Sequence, residues 1–194
     1  MHINTIIKHR INTIADLHNT PIEYGVELDL RTNGNSIILH HDVFADGVIF
    51  EDYLNHYKHG IIILNTKTDG LEPYLLELMK KENVKDFFFL DTALPTLVKT
   101  IKNGCSKLAV RFSEYEPLDF VMQFAGKADW VWVDCFTTNI LTPEVYRQLK
   151  AHFKICIVSP ELQSHPLEWI EDFKKAFAGF ELDAVCTKHP DLWK

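Results

Sequence analysis

No uninterrupted apolar run in the 194 residues approaches the roughly 20 that a membrane-spanning helix needs, so no stable membrane insertion is expected. The opening stretch MHINTIIKHRINTIADL has neither the unbroken apolar core nor the small-residue cleavage site of a signal peptide. The cytoplasm is therefore the expected address. Basic residues are in deficit, with 20 Lys plus Arg against 27 Asp plus Glu and a net charge of −7. That balance argues against nucleic acid as a partner, because such binding usually needs a basic face. Eight Gly and eight Pro are too few for a collagen-like or low-complexity chain. Four Cys without a C-x-x-C pair exclude a disulfide framework and argue against a thiolate zinc site. Cys135, Cys156 and Cys186 lie in or beside the apolar runs VWVDCF, KICIVS and LDAVCT, and read as small buried hydrophobes. What remains, 46% apolar and 24% charged, is the composition of an ordinary globular protein.

Along the chain, short β-branched or aromatic runs alternate with longer amphipathic stretches. Strands are expected at 3–7, 24–30, 60–67, 86–91, 107–113, 129–135, 154–159 and 182–187. A ninth short run, 36–41, follows the turn signal Thr32-Asn33-Gly34-Asn35 and reads as the return arm of an excursion from the second strand. Helices are expected at 71–83, 92–104, 117–127, 142–153 and 166–180, with Thr92 and Thr142 as N-caps and Gly104 as a stop. The stretch 11–18 allows only a couple of turns, and 50–57 also reads as helical. Eight strands, most followed by a helix, is the pattern of a compact, parallel, eight-stranded (β/α)8 TIM barrel. An open doubly wound sheet usually carries five or six strands, and the flavodoxin-like version lacks its Gly-rich phosphate loop here. No stretch reads as a linker, so residues 1–194 are expected to form one domain.

In a (β/α)8 barrel the active site lies at the C-terminal strand ends, and here those ends are polar. The first ends in His9-Arg10 and the second carries Glu27, Asp29 and Arg31. The excursion ends in His41-Asp42, the third strand in Asn65-Thr66-Lys67 and the fourth in Asp91. Arg111, Ser113, Glu114, Asp134, Ser159, Glu161, Thr187 and His189 stand at the later ends. Glu27 and Asp29, two apart on a strand, point to the same side. Two like charges aimed at one point are costly unless a cation neutralises them, either Arg10 or Arg31 or a hard divalent ion, Mg²⁺ or Ca²⁺. Histidine side chains ordinarily titrate near neutrality, which suits His9 and His41 to general acid–base work, while Arg10 and Lys67 offer fixed positive charge to an anion. Neighbours on a strand face opposite ways, so His40 is expected to point outward if His41 points in. His2, His18, His56, His59 and His152 are expected in exposed helices or loops, and His165 and His189 near the barrel rim.

These residues resemble the glycerophosphodiester phosphodiesterase family and, more broadly, the phosphatidylinositol-specific phospholipase C-like superfamily. The resemblance rests on His9-Arg10, the block VELDLRTNGN with Glu27 and Asp29, and the His-Asp at His41-Asp42. RFSEYE at 111–116 and the closing TKHPDLW at 187–193 extend it over nearly the whole chain. It implies a barrel and a metal-dependent phosphoric diester hydrolase, acting on a glycerophosphodiester, a lipid head group or another phosphodiester of lipid metabolism. Glu27 and Asp29 would hold the metal, His9 and His41 would be the catalytic acid and base, and Arg10 and Lys67 would bind the phosphate. The expected partner is thus a small-molecule or lipid-derived phosphodiester.

The chain departs from the family in two places. The family's third strand usually ends in Glu-x-Lys, and here Asn65 stands in place of the metal-ligating Glu. Its amide oxygen is expected to ligate with one negative charge fewer, with Asp69 or Asp91 as the carboxylates near enough in sequence to compensate. The long insertion after the His-Asp is also missing, which implies an open, shallow site able to take a larger phosphodiester such as a phosphate-linked glycan. The alternative is a catalytically weakened or inactive barrel that binds a phosphorylated ligand without turning it over. Asn65 favours that alternative. Retention of both His, Glu27, Asp29 and Lys67 favours the enzyme.

Overall fold

The second strand shows how the sequence sets the architecture. In β2, Gly25–Asn33, the first six residues are all buried, as in a parallel strand covered on both faces. Val26, Leu28 and Leu30 alternate with Glu27 and Asp29, so one face of the strand is aliphatic and the other carries two carboxylates. The computed structural model describes all 194 residues. Preceding β2 are β1, His2–Lys8, and the short helix α1, Ile14–His18. After it come β3, Ser36–Leu39, β4, Val48–Ile49, and α2, Phe50–Leu54. Three β–α pairs follow: β5, Ile62–Thr66, with α3, Glu72–Lys81; β6, Phe87–Leu90, with α4, Leu94–Lys102; and β7, Ala109–Phe112, with α5, Leu118–Met122. The chain continues through β8, Trp130–Val133, α6, Pro143–Lys150, β9, Lys154–Val158, α7, Trp169–Ala176, and β10, Glu181–Thr187. Single 3₁₀ turns at Pro160–Gln163 and Pro190–Trp193 follow β9 and β10.

The chain divides into two compact units. In Lys8–Leu108, β2 pairs in parallel with β5, and β5 with β6. β3 folds back antiparallel on β2 through the Gly34-Asn35 turn, with Gly34 at φ 59°, and β4 pairs antiparallel with β3. Phe50, Tyr53, Leu75, Met79, Phe88 and Phe89 are fully buried here. In the other unit, Met1–Ile7 with Ala109–Lys194, the strand order is β1-β10-β9-β8-β7. The pairs β10·β9, β9·β8 and β8·β7 are parallel. Cys156 and Cys186 sit in its strands and Cys135 just beyond β8, all buried as expected. Burial pushes the Cys135 thiol up to about 12 and that of Cys156 well above its ordinary value.

The fold is mixed α/β and built on parallel pairs, but the pairings do not form a closed parallel barrel. The last edge of the Lys8–Leu108 unit shows one reason. Beyond β6 there is only a single parallel bridge, Phe89 to Leu108. Phe89 donates its N–H to the Lys107 carbonyl at 2.9 Å, and no further pair extends that bridge into a ladder. The 107–113 strand is correspondingly short, Ala109–Phe112. The helices are also shorter than their amphipathic patterns. Thr142 caps α6 as predicted, accepting from the Val145 N–H, whereas Thr92 does not cap α4. Asp91, at φ 58°, redirects the chain so that Ala93 takes the cap position and the Thr92 hydroxyl makes no hydrogen bond.

Candidate active site

Six of the seven residues singled out from the sequence converge in the Lys8–Leu108 unit. The parallel register sets Asp29 beside Asn65, and the Asn65 Nδ2 donates to Glu27 Oε1 at 2.9 Å. Glu27 and Asp29 are 1% and 0% exposed. Just past β1 the chain turns through Arg10, whose φ of 55° is uncommon for a non-glycine residue. That turn aims the Arg10 N–H at Glu27 Oε2, 2.8 Å away, and brings His9 Nε2 within 3.7 Å of the same oxygen.

The two carboxylates are neutralised differently. Asp29 lies 3.6 Å from both the Arg10 Nε and the Lys67 Nζ, and accepts a 2.9 Å bond from Asn12 Nδ2. Asn12 returns the favour through its Oδ1, which accepts the Asp29 N–H at 2.9 Å. Glu27 has no such cation pair. Burial, reinforced by the neighbouring Asp29 charge, raises its carboxyl to about 7, against the opposing bonds from Asn65 and the Arg10 N–H. At neutral pH that carboxyl is poised between its two forms.

Two oxygens of this cluster, Asp29 Oδ1 and Asn65 Oδ1, are buried and make no hydrogen bond. Buried polar atoms are rarely left so, and oxygens are what a hard cation takes. No group of three or more His, Cys, Asp or Glu is arranged to hold a metal. The donor set is two carboxylates and an amide, which fits Mg²⁺ or Ca²⁺ with one charge fewer than three carboxylates would give. Neither compensating carboxylate joins it. Asp69 accepts from the Thr96 hydroxyl at 2.6 Å, and Asp91 pairs with Lys67 at 3.2 Å.

His41 is held differently from the other six. Its ring Nδ1 is 2.7 Å from Asp42 Oδ1, and its side chain remains 40% exposed. The hydrogen bond from His41, aided by the charges of both neighbouring histidines and Arg10, holds the Asp42 carboxyl below its usual range. His40 does not simply face outward; its Nδ1 folds back to accept the Asp42 N–H at 3.0 Å. Arg31, which the sequence reading weighed only as a partner for Glu27 and Asp29, instead donates through Nε and Nη2 to the His41 carbonyl at 2.9 and 2.7 Å. Its Nη1 reaches the Lys67 carbonyl at 3.3 Å. Sequence reasoning missed this role and that of Asn12. The one available signal was a polar side chain two residues beyond Arg10 and two beyond Asp29.

The loop after His41-Asp42 is short, as the missing insertion implied. Gly47 packs so closely on β3 that an added Cβ would lie 2.5 Å from the Leu39 carbonyl oxygen, and Asn33 Nδ2 donates to Asp46 at 3.2 Å. The polar strand ends of the other unit are satisfied among themselves. Arg111 pairs with Asp134, Gln163 donates to Asp134 at 2.8 Å, and Thr187 donates to Glu161 at 2.6 Å. Glu114 collects the N–H groups of Phe136, Thr137 and Thr138. Burial opposes them, yet these bonds, led by Thr137, lower its carboxyl to about 2. Among the histidines, His2 lies in β1, His59 is half-buried with Nε2 2.8 Å from the Thr20 carbonyl oxygen, and His165 stacks on Trp169 at 4.1 Å.

No protein-family model matches the sequence, and no curated protein matches it. Solved structures do match its fold. A glycerophosphodiester phosphodiesterase from Agrobacterium tumefaciens str. C58 superposes with a TM-score of 0.68 at 15% identity, covering 100% of this chain and 97% of that one. A putative glycerophosphoryl diester phosphodiesterase from the same organism gives 0.67 at 14% identity, over 98% and 95% of the two chains. A glycerophosphoryl diester phosphodiesterase from Parabacteroides distasonis ATCC 8503 gives 0.65 at 15% identity, over 97% and 84%. The chain therefore shares the fold of these proteins over its whole length, at an identity where fold alone is carried.

Proposed function

We propose that this chain is a phosphodiester hydrolase of the glycerophosphodiester phosphodiesterase kind, built on a mixed α/β fold similar to that family's barrels. The observation that carries the reading is the convergence of Glu27, Asp29 and Asn65 with His9, Arg10 and Lys67 at adjacent strand ends. Glu27, Asp29 and Asn65 are the residues that would hold a divalent cation, Mg²⁺ or Ca²⁺. Such a cation, when bound, supplies charge neutralisation and polarises a phosphoryl oxygen.

The remaining chemistry belongs to the chain's own side chains. Arg10 and Lys67 bind the phosphodiester and stabilise the charge that gathers on its oxygens in the transition state. His9 and His41 divide the proton transfers, one accepting the proton of the attacking hydroxyl and the other protonating the departing alkoxide. Asp42 at His41 Nδ1 favours the tautomer with its proton there, leaving Nε2 to exchange protons with substrate. The short loop after Asp42 suits a substrate larger than a glycerophosphodiester, such as a lipid head group or phosphate-linked glycan.

A second reading is a barrel that binds a phosphorylated ligand without turnover. It is favoured by Asn65 and by the pairing of Asp29 with two cations already in the chain. Turnover of bis(p-nitrophenyl) phosphate and of a glycerophosphodiester panel with Mg²⁺, Ca²⁺ or Mn²⁺ decides between them. The hydrolase is expected to be active, and His9→Ala and Glu27→Ala each to lose at least a hundredfold in kcat/KM. Absence of turnover across the panel, with retained binding of a phosphorylated ligand, selects the second reading.

A further inference from the structure

We propose that His18 and His56 form a second metal site, separate from the carboxylate cluster, for a borderline-soft divalent ion of the Zn²⁺ or Cu²⁺ class. His18 closes α1, and His56 directly follows Asn55, the C-cap of α2. Their ring nitrogens, Nε2 of His18 and Nδ1 of His56, lie 3.3 Å apart, with the rings at 67° and their centroids 5.1 Å apart. The two rings share a long hydrogen bond. Two nitrogens each 2.0–2.1 Å from one tetrahedral metal stand about 3.3–3.4 Å apart. The observed spacing is that of a chelate.

The surroundings select the kind of cation. Both rings are carried at the C-terminal ends of short helices. The rings open onto a cavity of about 310 Å³ whose wall also includes Thr20, Asn55, Lys58 and His59. No carboxylate lines it, so hard ions that demand oxygen anions are poorly served, while neutral imidazoles suit Zn²⁺, Cu²⁺ and Ni²⁺. His59, on the same wall, holds its Nε2 on the Thr20 carbonyl, and no third histidine or carboxylate joins the pair, so water would fill the remaining positions on the ion. Lys58 is the one cation on the wall and opposes the metal, which places the affinity below that of a structural zinc centre. The ion would join two five-residue helices that are too short to persist unaided.

The test is a Zn²⁺ titration of the chelator-treated full chain in excess Mg²⁺, with the visible spectrum of the Co²⁺ form as a coordination reporter. The wild type is expected to take up one Zn²⁺ and to melt at higher temperature with it, by mass action on the folded state. His18→Ala and His56→Ala are each expected to bind at least tenfold more weakly and to lose the thermal shift. Both rings are exposed, so these variants should match the wild type in circular dichroism and in melting without metal. Glu27→Gln should keep the Zn²⁺ equivalent, which separates this site from the proposed catalytic one. Unchanged Zn²⁺ affinity in His18→Ala and His56→Ala, or its loss in Glu27→Gln, overturns the proposal.

Discussion

At the scale of the residue, the consequential number is the carboxyl of Glu27 at about 7. A carboxyl whose folded value is raised favours the protonated form, so its contribution to stability is full below its ordinary value of 4.5 and is lost as pH rises towards 7. Metal-free wild type should therefore lose about 3 kcal/mol relative to Glu27→Gln between pH 4 and pH 8. Denaturant melts of both proteins with chelator present measure this difference. A divalent ion that displaces the proton should bind more tightly as pH rises and restore stability to the wild type alone. The same scale shows what local sequence reveals. Glu27, Asp29, Asn65, His9, Arg10 and Lys67 were readable because alternation and strand-end position fix where such side chains point. Asn12 was not, because its partner on β2 is seventeen residues away and reached only through the left-handed turn at Arg10.

At the scale of the element, parallel strands were the most legible, since their apolar runs are bounded by polar ends. β4 escaped notice because two residues carry no periodicity, and its existence depends on β3 as a template. The helices end earlier than their patterns suggest. Leu71 and Ala93 occupy the caps of α3 and α4 without a side-chain bond, leaving those starts to packing and to Pro73 and Pro95 in the first turn. Gly47 is the residue on which the β3–β4 pair and the His41 loop depend. Gly47→Ala forces a methyl against the Leu39 carbonyl, which should cost about 1–3 kcal/mol and speed amide exchange through residues 41–49. Hydrogen exchange resolved along the chain would detect it, and unchanged protection in that segment would show that the close approach is not limiting.

At the scale of the whole molecule, the composition predicted a folded acidic chain with no membrane-spanning helix, and no helix here is long and apolar enough to cross a membrane. The positions of the main strands were legible too, but the closed barrel expected from them is not formed. Closure depends on whether a single bridge such as Phe89–Leu108 grows into a ladder, and no periodicity encodes that. Arg31 gives the net charge of −7 a further meaning. Its hydrogen bonds all go to neutral carbonyls, so no carboxylate cancels the charge of its guanidinium. In a chain that repels anions at a distance, that uncancelled charge acts as a beacon over roughly a Debye length, about 10 Å at 0.1 M salt. Capture of an anionic substrate should then slow as ionic strength rises, seen as a falling kcat/KM. Arg31→Lys, which keeps the charge, should preserve that salt dependence even where it loosens the loop, whereas Arg31→Gln should flatten it. The guanidinium that ties two backbone segments together would thus also set how fast substrate arrives.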